Sequence, residues 1–212
     1  MKYIIIRVPM FVCLSLLILM TGCADMETGW SNVSVQMSIQ PTSLSAGRVS
    51  SKPVALVLND ELTSYHYEVQ LMHNSLSFPL GVPLAAYAQN VTTNSFSKVQ
   101  TTSALAATLT NSTAVILLIP RPVKASFSMG TKVQDPFKFA LVVEWRGVDR
   151  ISQNTIWLKT VTVEAVDHGG AAFSGMSKSA NEKRRQLLMQ ALFNDLTLKT
   201  YDLFQKSSEL SQ

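Results

Sequence analysis

The feature that most limits what this chain can fold into lies at its start. Residues 11–20 form an apolar run, preceded by Lys2 and Arg7 and closing in Leu19-Met20-Thr21-Gly22-Cys23. Charge, apolar stretch and small residue in that order mark a secretory leader, which is removed and contributes nothing to a fold. Arg7 and Pro9 interrupt the stretch, leaving less than the ~20 continuous apolar residues a spanning helix needs. A cut before Cys23 removes 22 residues and leaves 190 of the 212. That is one domain of ordinary size, long enough to bury a full core without staples.

Ending in Gly22-Cys23, the leader resembles the lipobox of bacterial lipoproteins, with Met20 standing where Leu is usual. The resemblance implies that the Cys23 thiol takes a diacylglyceryl group, that the leader is cut before it and that the new amine is acylated. Ala24, rather than Asp, at the next position implies sorting to the outer membrane, on its periplasmic face. Acyl chains at ~0.8 kcal/mol per buried CH₂ make such attachment effectively permanent. Cys13 leaves with the leader and Cys23 carries lipid, so no thiol remains for a disulfide or a thiolate metal site.

The formal charge of +4 invites a nucleic-acid reading, but two of the 18 cations, Lys2 and Arg7, belong to the leader. The remainder holds 16 Lys and Arg against 14 Asp and Glu. The only dense basic cluster, Lys183-Arg184-Arg185, has no aromatics interleaved with it. It reads as a solvated helix start or a phospholipid-facing patch, and nucleic acid is not an expected partner.

Along the body, period-2 alternation predicts strands over residues 33–39, 65–72, 137–146 and 155–166, the last with a bulge at Lys159-Thr160. Continuous apolar runs over 54–58 and 114–119 predict strands covered on both faces. The second is expected to stop at Pro120 and Pro122, with a separate strand over 123–129. Residues 43–52 read as a loop, Phe78-Pro79-Leu80-Gly81 as a turn, and 101–112 as a short helix or loop. Helical spacing of Leu84, Tyr87, Ala88, Val91, Ser95 and Phe96 predicts a helix over 82–99, with Pro83 in its first turn. Ser179-Ala180-Asn181-Glu182 matches a capping box ahead of a long helix with Leu188, Leu192, Leu196, Lys199 and Leu203 on one stripe. The expected fold class is α+β: a mostly antiparallel sheet with two helices packed on one face, the C-terminal helix long. The chain divides into a leader (1–22), a lipidated tether (23–31), one α+β domain (32–206) and a frayed tail (207–212).

Residues suited to chemistry are scattered. His66 and His73 point to opposite faces of one strand, and His168 sits beside Gly169-Gly170 in a turn, so no metal site is expected. No serine lies in a G-x-S-x-G elbow, and Gly169-Gly170 lacks the Gly and Lys of a phosphate loop. Asp60-Glu61 after a strand reads as a turn cap. The chain is therefore expected to be no enzyme and to need no cofactor.

The VALVLNDEL run at 54–62, the tyrosine-bearing strand after it and the Phe78–Gly81 sequence leading into a helix are similar to small proteobacterial lipoproteins of the YajG type. The likeness extends to LptE- and CsgG-like accessory lipoproteins, and covers roughly 53–99 and 178–205. It implies a body that helps build or position an outer-membrane machine, with the membrane and envelope proteins as partners. The helix looks too long for one domain face, so Tyr201, Leu203 and Phe204 are the expected partner-binding residues, past the end of the sheet. The alternative is a carrier or sensor holding a lipid, glycan or peptide in an apolar groove between sheet and helix.

Overall fold

In the computed structural model, the described residues are 33–34, 40–44, 49–71, 74–103, 113–129, 136–167 and 178–211. Cys23, His73, His168 and the greater part of the 33–39 strand lie outside them. Strand β1 is Val33–Ser34, and β2 is Ser50–Val57. The apolar run of β2 is buried on both faces, with Val54 and Leu56 in the main core and Ala55 and Val57 in a smaller cluster with Leu117 and Ile119. Helix α1 (Asp60–Thr63) follows, its Asn59 cap accepting from the Leu62 amide at 3.1 Å. Strands β3 (His66–Leu71) and β4 (Asn74–Pro79) form an antiparallel hairpin, with β1 parallel to β4. Phe78-Pro79 is therefore strand, where a turn was expected.

Helix α2 (Gly81–Ser95) passes directly into β5 (Phe96–Thr102). The predicted helix is too long by one turn: Phe96 adopts an extended backbone at φ −122° and ψ 145°. The β-branched Val91-Thr92-Thr93 segment weakens the helix locally, and pairing of β5 with β2 outweighs the remaining helical pattern. Gly81 is required where it stands, since a Cβ there would lie 2.0 Å from the Thr63 carbonyl oxygen.

Strand β6 (Ile116–Met129) runs unbroken through both prolines. Residues two apart direct their amides to the same side of a strand, so Pro120 and Pro122 together turn their missing donors away from β7. On the other side, the ladder to β2 ends at Leu118. No ladder bond is lost, as for prolines on an edge. The register then shifts between Pro122 and Lys124, leaving Val123 exposed. Strands β7 (Phe137–Asp149) and β8 (Thr155–Asp167) complete a sheet of order β5-β2-β6-β7-β8. The sheet is mixed: β2 is parallel to both neighbours, and β6, β7 and β8 are antiparallel. The expected irregularity in β8 lies elsewhere, opposite Gly147/Val148, while Lys159 and Thr160 keep register with Trp145 and Glu144.

Helix α3 (Lys178–Gln205) and α4 (Ser208–Ser211) end the chain. The long helix starts one residue before Ser179, placing that serine in the first turn rather than at the cap. Its 28 residues span ~42 Å. Strands β7 and β8, 13 residues each, span ~43 Å. Helix and sheet therefore match in length, and α3 has a full face to lie on. Leu188, Leu192, Leu196 and Phe204 are buried between them, while Lys199 is exposed. The hairpin covers the far half of the same sheet face through Tyr67 and Phe78, whose rings lie 5.7 and 4.9 Å from that of Phe139.

Candidate functional site

The space between sheet and helices, where a ligand groove was one expectation, is filled by side chains. Trp145 and Phe204 meet edge to face at 5.0 Å, and Phe204 also contacts Phe96 at 5.6 Å and Trp157 at 5.7 Å. Buried tryptophan and tyrosine need polar partners, and both find them. The Trp145 Nε1–H donates to Tyr87 Oη at 2.9 Å, and Tyr87 Oη meets Thr200 Oγ1 at 2.6 Å. This chain joins β7, α2 and α3. Burial pushes the Tyr87 pKa well above its ordinary value, against the opposing pull of its hydrogen bonds to Thr200 and Trp145.

The expectation that Tyr201, Leu203 and Phe204 lie past the end of the sheet is corrected by this packing. Phe204 is fully buried, and Tyr201 and Leu203 pack partly buried against the same core. The tail expected to fray instead folds as α4 over the end of the helix. Leu210 is buried, and Ser207 Oγ accepts from Trp157 Nε1 at 2.9 Å. The Lys183-Arg184-Arg185 cluster is likewise divided. Arg184 pairs with Asp167 at 2.8 Å, and desolvation lowers the pKa of the half-buried Arg185. Lys183 is exposed.

Of the exposed large aliphatic side chains among the described residues, Val82, Val123, Leu187 and Leu198 are scattered, and the other four belong to the segments where β6 starts and β7 turns into β8. Ile151 is 81 % exposed at the turn, Val115 is exposed just before β6, and Ile156 and Leu158 are exposed along the start of β8. The turn holds Ile151 in place: Asp149 Oδ1 accepts from the Ile151 and Ser152 amides at 3.1 and 2.7 Å and from Ser152 Oγ at 2.9 Å. Those bonds, the one from the Ser152 amide above all, lower the Asp149 pKa. Gln153 closes the turn with φ 59°, and the Arg150 amide bonds the Val115 carbonyl at 3.0 Å. Exposed Arg146 lies across the ladder from Leu158. The alternation ends the predicted strand at residue 146, whereas β7 runs on to Asp149, and the surface at its end was missed. An Ile in a turn signals nothing by periodicity, and Leu158 reads as one face with Val161 only through the expected bulge; the unbroken register across Lys159-Thr160 puts it on the opposite face.

A second surface lies along α3, where residues Gln40–Leu44 cross it as a strap. Gln190 pairs with the Gln40 main chain as another backbone would: Oε1 accepts the Gln40 N–H at 2.8 Å, and Nε2 donates to its carbonyl at 3.0 Å. Thr42 Oγ1 bonds Asn194 Oδ1 at 2.9 Å, and Asn90 Nδ2 donates to the Thr42 carbonyl at 3.3 Å. An open groove beside the strap is lined by Pro41, Ser43, Lys183, Gln186 and Leu187.

His66 is exposed, its Nε2 3.1 Å from Ser77 Oγ. Asp60 and Glu61 form the first turn of α1, and Glu61 pairs with Arg121 at 2.8 Å. Among the described residues, no three His, Cys, Asp or Glu side chains gather as metal ligands, and no helix is long and apolar enough to cross a membrane.

No family model and no curated protein matches the sequence. Among solved structures, the chain is similar in fold to XCC0632 from Xanthomonas campestris, of family model DUF330. The TM-score is 0.50 at 9% identity, over 84% of this chain and 99% of that one. Looser superpositions include CT253 from Chlamydia trachomatis, with TM-score 0.43 at 11% identity over 73% of this chain and 98% of that one. Another is a minor lipoprotein from Acinetobacter baumannii, with TM-score 0.41 at 11% identity over 73% and 90%.

Proposed function

We propose that the chain is a lipoprotein held to the outer membrane through Cys23, facing the periplasm, and that its body is a non-catalytic accessory of an envelope complex. The anchor rests on the apolar leader closing in Gly22-Cys23. The body acts by docking, and the observation that carries this is the hydrogen-bonded turn presenting Ile151 to solvent, with Val115 exposed just before β6 and Ile156 and Leu158 exposed along the start of β8. A preorganised aliphatic surface on a rigid scaffold loses little freedom on binding, which favours a protein partner. Close side-chain packing between helices and sheet counts against the carrier reading.

A photo-crosslinking residue placed at 151 or 158 in the anchored protein tests the docking. Discrete protein adducts are expected at both positions, and none at Leu187 on the outer face of α3. Equal labelling at all three, or a small bound mass in native mass spectrometry with no adduct, contradicts it.

A further inference from the structure

We infer that the docking partner adds an extended acidic segment to the free edge of β8, as a further strand of the sheet; the inference rests on the docking reading and names the chemistry of its partner. Strand β8 ends the order β5-β2-β6-β7-β8, so one side of it has no strand beside it among the described residues. The hairpin fixes which backbone groups face that side. Asp149 sends its amide across to the Asn154 carbonyl at 2.9 Å, and residues two apart direct their backbone groups alike. Val143, Trp145 and Gly147 therefore face β8, and their partners Val161, Lys159 and Trp157 face back. Leu158, Thr160 and Thr162, lying between those partners, face away from β7. Lys199 agrees, its Nζ donating to the Thr162 carbonyl at 3.4 Å.

An open edge recruits strands, and proteins close those that should stay single. The free side of β6 is closed: Pro120 and Pro122 offer it no donors, and the Phe127 amide is taken by Tyr67 Oη at 3.0 Å. From Leu158 to Thr162 of β8, the Thr162 carbonyl alone has a described partner on that side. Leu158, Lys159, Thr160 and Thr162 are all exposed. Main-chain bonds to such an edge supply affinity, and alternate side chains supply specificity.

Charge selects the occupant. Lys159 stands across the ladder from Trp145, on the face that α3 covers, and pairs with no carboxylate among the described residues. Lys199 reaches the same edge from α3, shared with Asp195 at 2.8 Å. Glu144, across the ladder from Thr160, is on the opposite face. Two ammonium groups on one side favour a strand that sets a carboxylate opposite Lys159. They also count against a second copy of this chain. A two-fold pairing that joins Leu158 to Thr160 sets Lys159 against Lys159, and like charges directly opposite destabilise.

A photo-crosslinking residue at 158 in the anchored protein tests this, in the parent chain and with Thr160→Ala, Thr160→Pro or Lys159→Glu. Proline removes the outward N–H and no bond to β7. Thr160→Pro is therefore expected to melt close to Thr160→Ala and to lose the adduct that Thr160→Ala keeps. Lys159→Glu is expected to weaken the adduct, and mass spectrometry of the crosslinked peptide to find Asp or Glu beside the attachment point. An adduct that survives Thr160→Pro or ignores Lys159→Glu, a partner peptide without acidic residues, or an adduct of twice the chain's own mass overturns the proposal. So does a Thr160→Pro chain that melts well below Thr160→Ala, since that amide then faces β7. Adducts at 151 that persist while these tests fail leave the docking reading standing; no adduct at either position removes both.

Discussion

Tyr87 sets the clearest expectation at the scale of single residues. Its hydroxyl serves Trp145 and Thr200 at once, in a fully packed site. Tyr87→Phe leaves the Trp145 Nε1–H without an acceptor, so the fold is expected to lose ~1–3 kcal/mol in urea denaturation. The pKa raised by burial adds a pH signature. Below the ordinary tyrosine pKa of ~10, the phenol is protonated in both folded and unfolded chains and the contribution is fully present. Above it the unfolded chain ionises first, so stability falls as pH rises towards the folded pKa. Denaturation midpoints measured from pH 8 to 11 should fall more steeply in the wild type than in Tyr87→Phe. Gly81 is a second such position, because the Thr63 carbonyl occupies the space a Cβ needs. Gly81→Ala is expected to lower the melting temperature by forcing α1 and α2 apart.

At the scale of elements, the end of α3 separates what the sequence makes legible from what it does not. Alternation in β7 is legible because Phe137, Phe139, Leu141, Val143 and Trp145 all face one core. The α3 stripe through Leu188, Leu192 and Leu196 is legible for the same reason. Whether Phe204 meets sheet or solvent depends on the length of the strands beneath it, which Gly147 and the prolines of β6 conceal. A glycine reads as a turn and a proline as a stop, yet here Gly147 packs against Trp157 and the prolines occupy positions that need no donor. The site follows suit: the strap depends on contacts 150 residues apart in sequence, beyond any local pattern. Phe204→Ala is therefore expected to cost ~3–5 kcal/mol and Leu192→Ala ~2–5 kcal/mol. Leu187→Ala, on the exposed face, should stay within ~0.5 kcal/mol. Ending the chain after Gln205 removes Leu210 and the acceptor of Trp157 Nε1, and calorimetry should show a lower melting temperature.

At the scale of the whole molecule, the strap on α3 and the exposed turn at Ile151 lie in different regions of one body. The strap follows α3 from Gln190 to Asn194, while Ile151 lies where β7 turns into β8. Membrane attachment and docking are thus assigned to separable parts, and Ile151→Asp should remove crosslinks without releasing the protein from membranes. Melting is expected to be indifferent to chelator and reductant; a sharp fall with chelator contradicts this.

Everything about placement rests on Cys23, and the intact mass of the protein extracted from membranes tests it most directly. The account predicts a chain beginning at Cys23, 190 residues long, carrying the added mass of acyl chains. Cys23→Ser should abolish that mass and accumulate the uncut precursor. An unmodified chain, a different first residue, or acyl mass that survives the substitution contradicts the lipoprotein reading and the envelope role built on it.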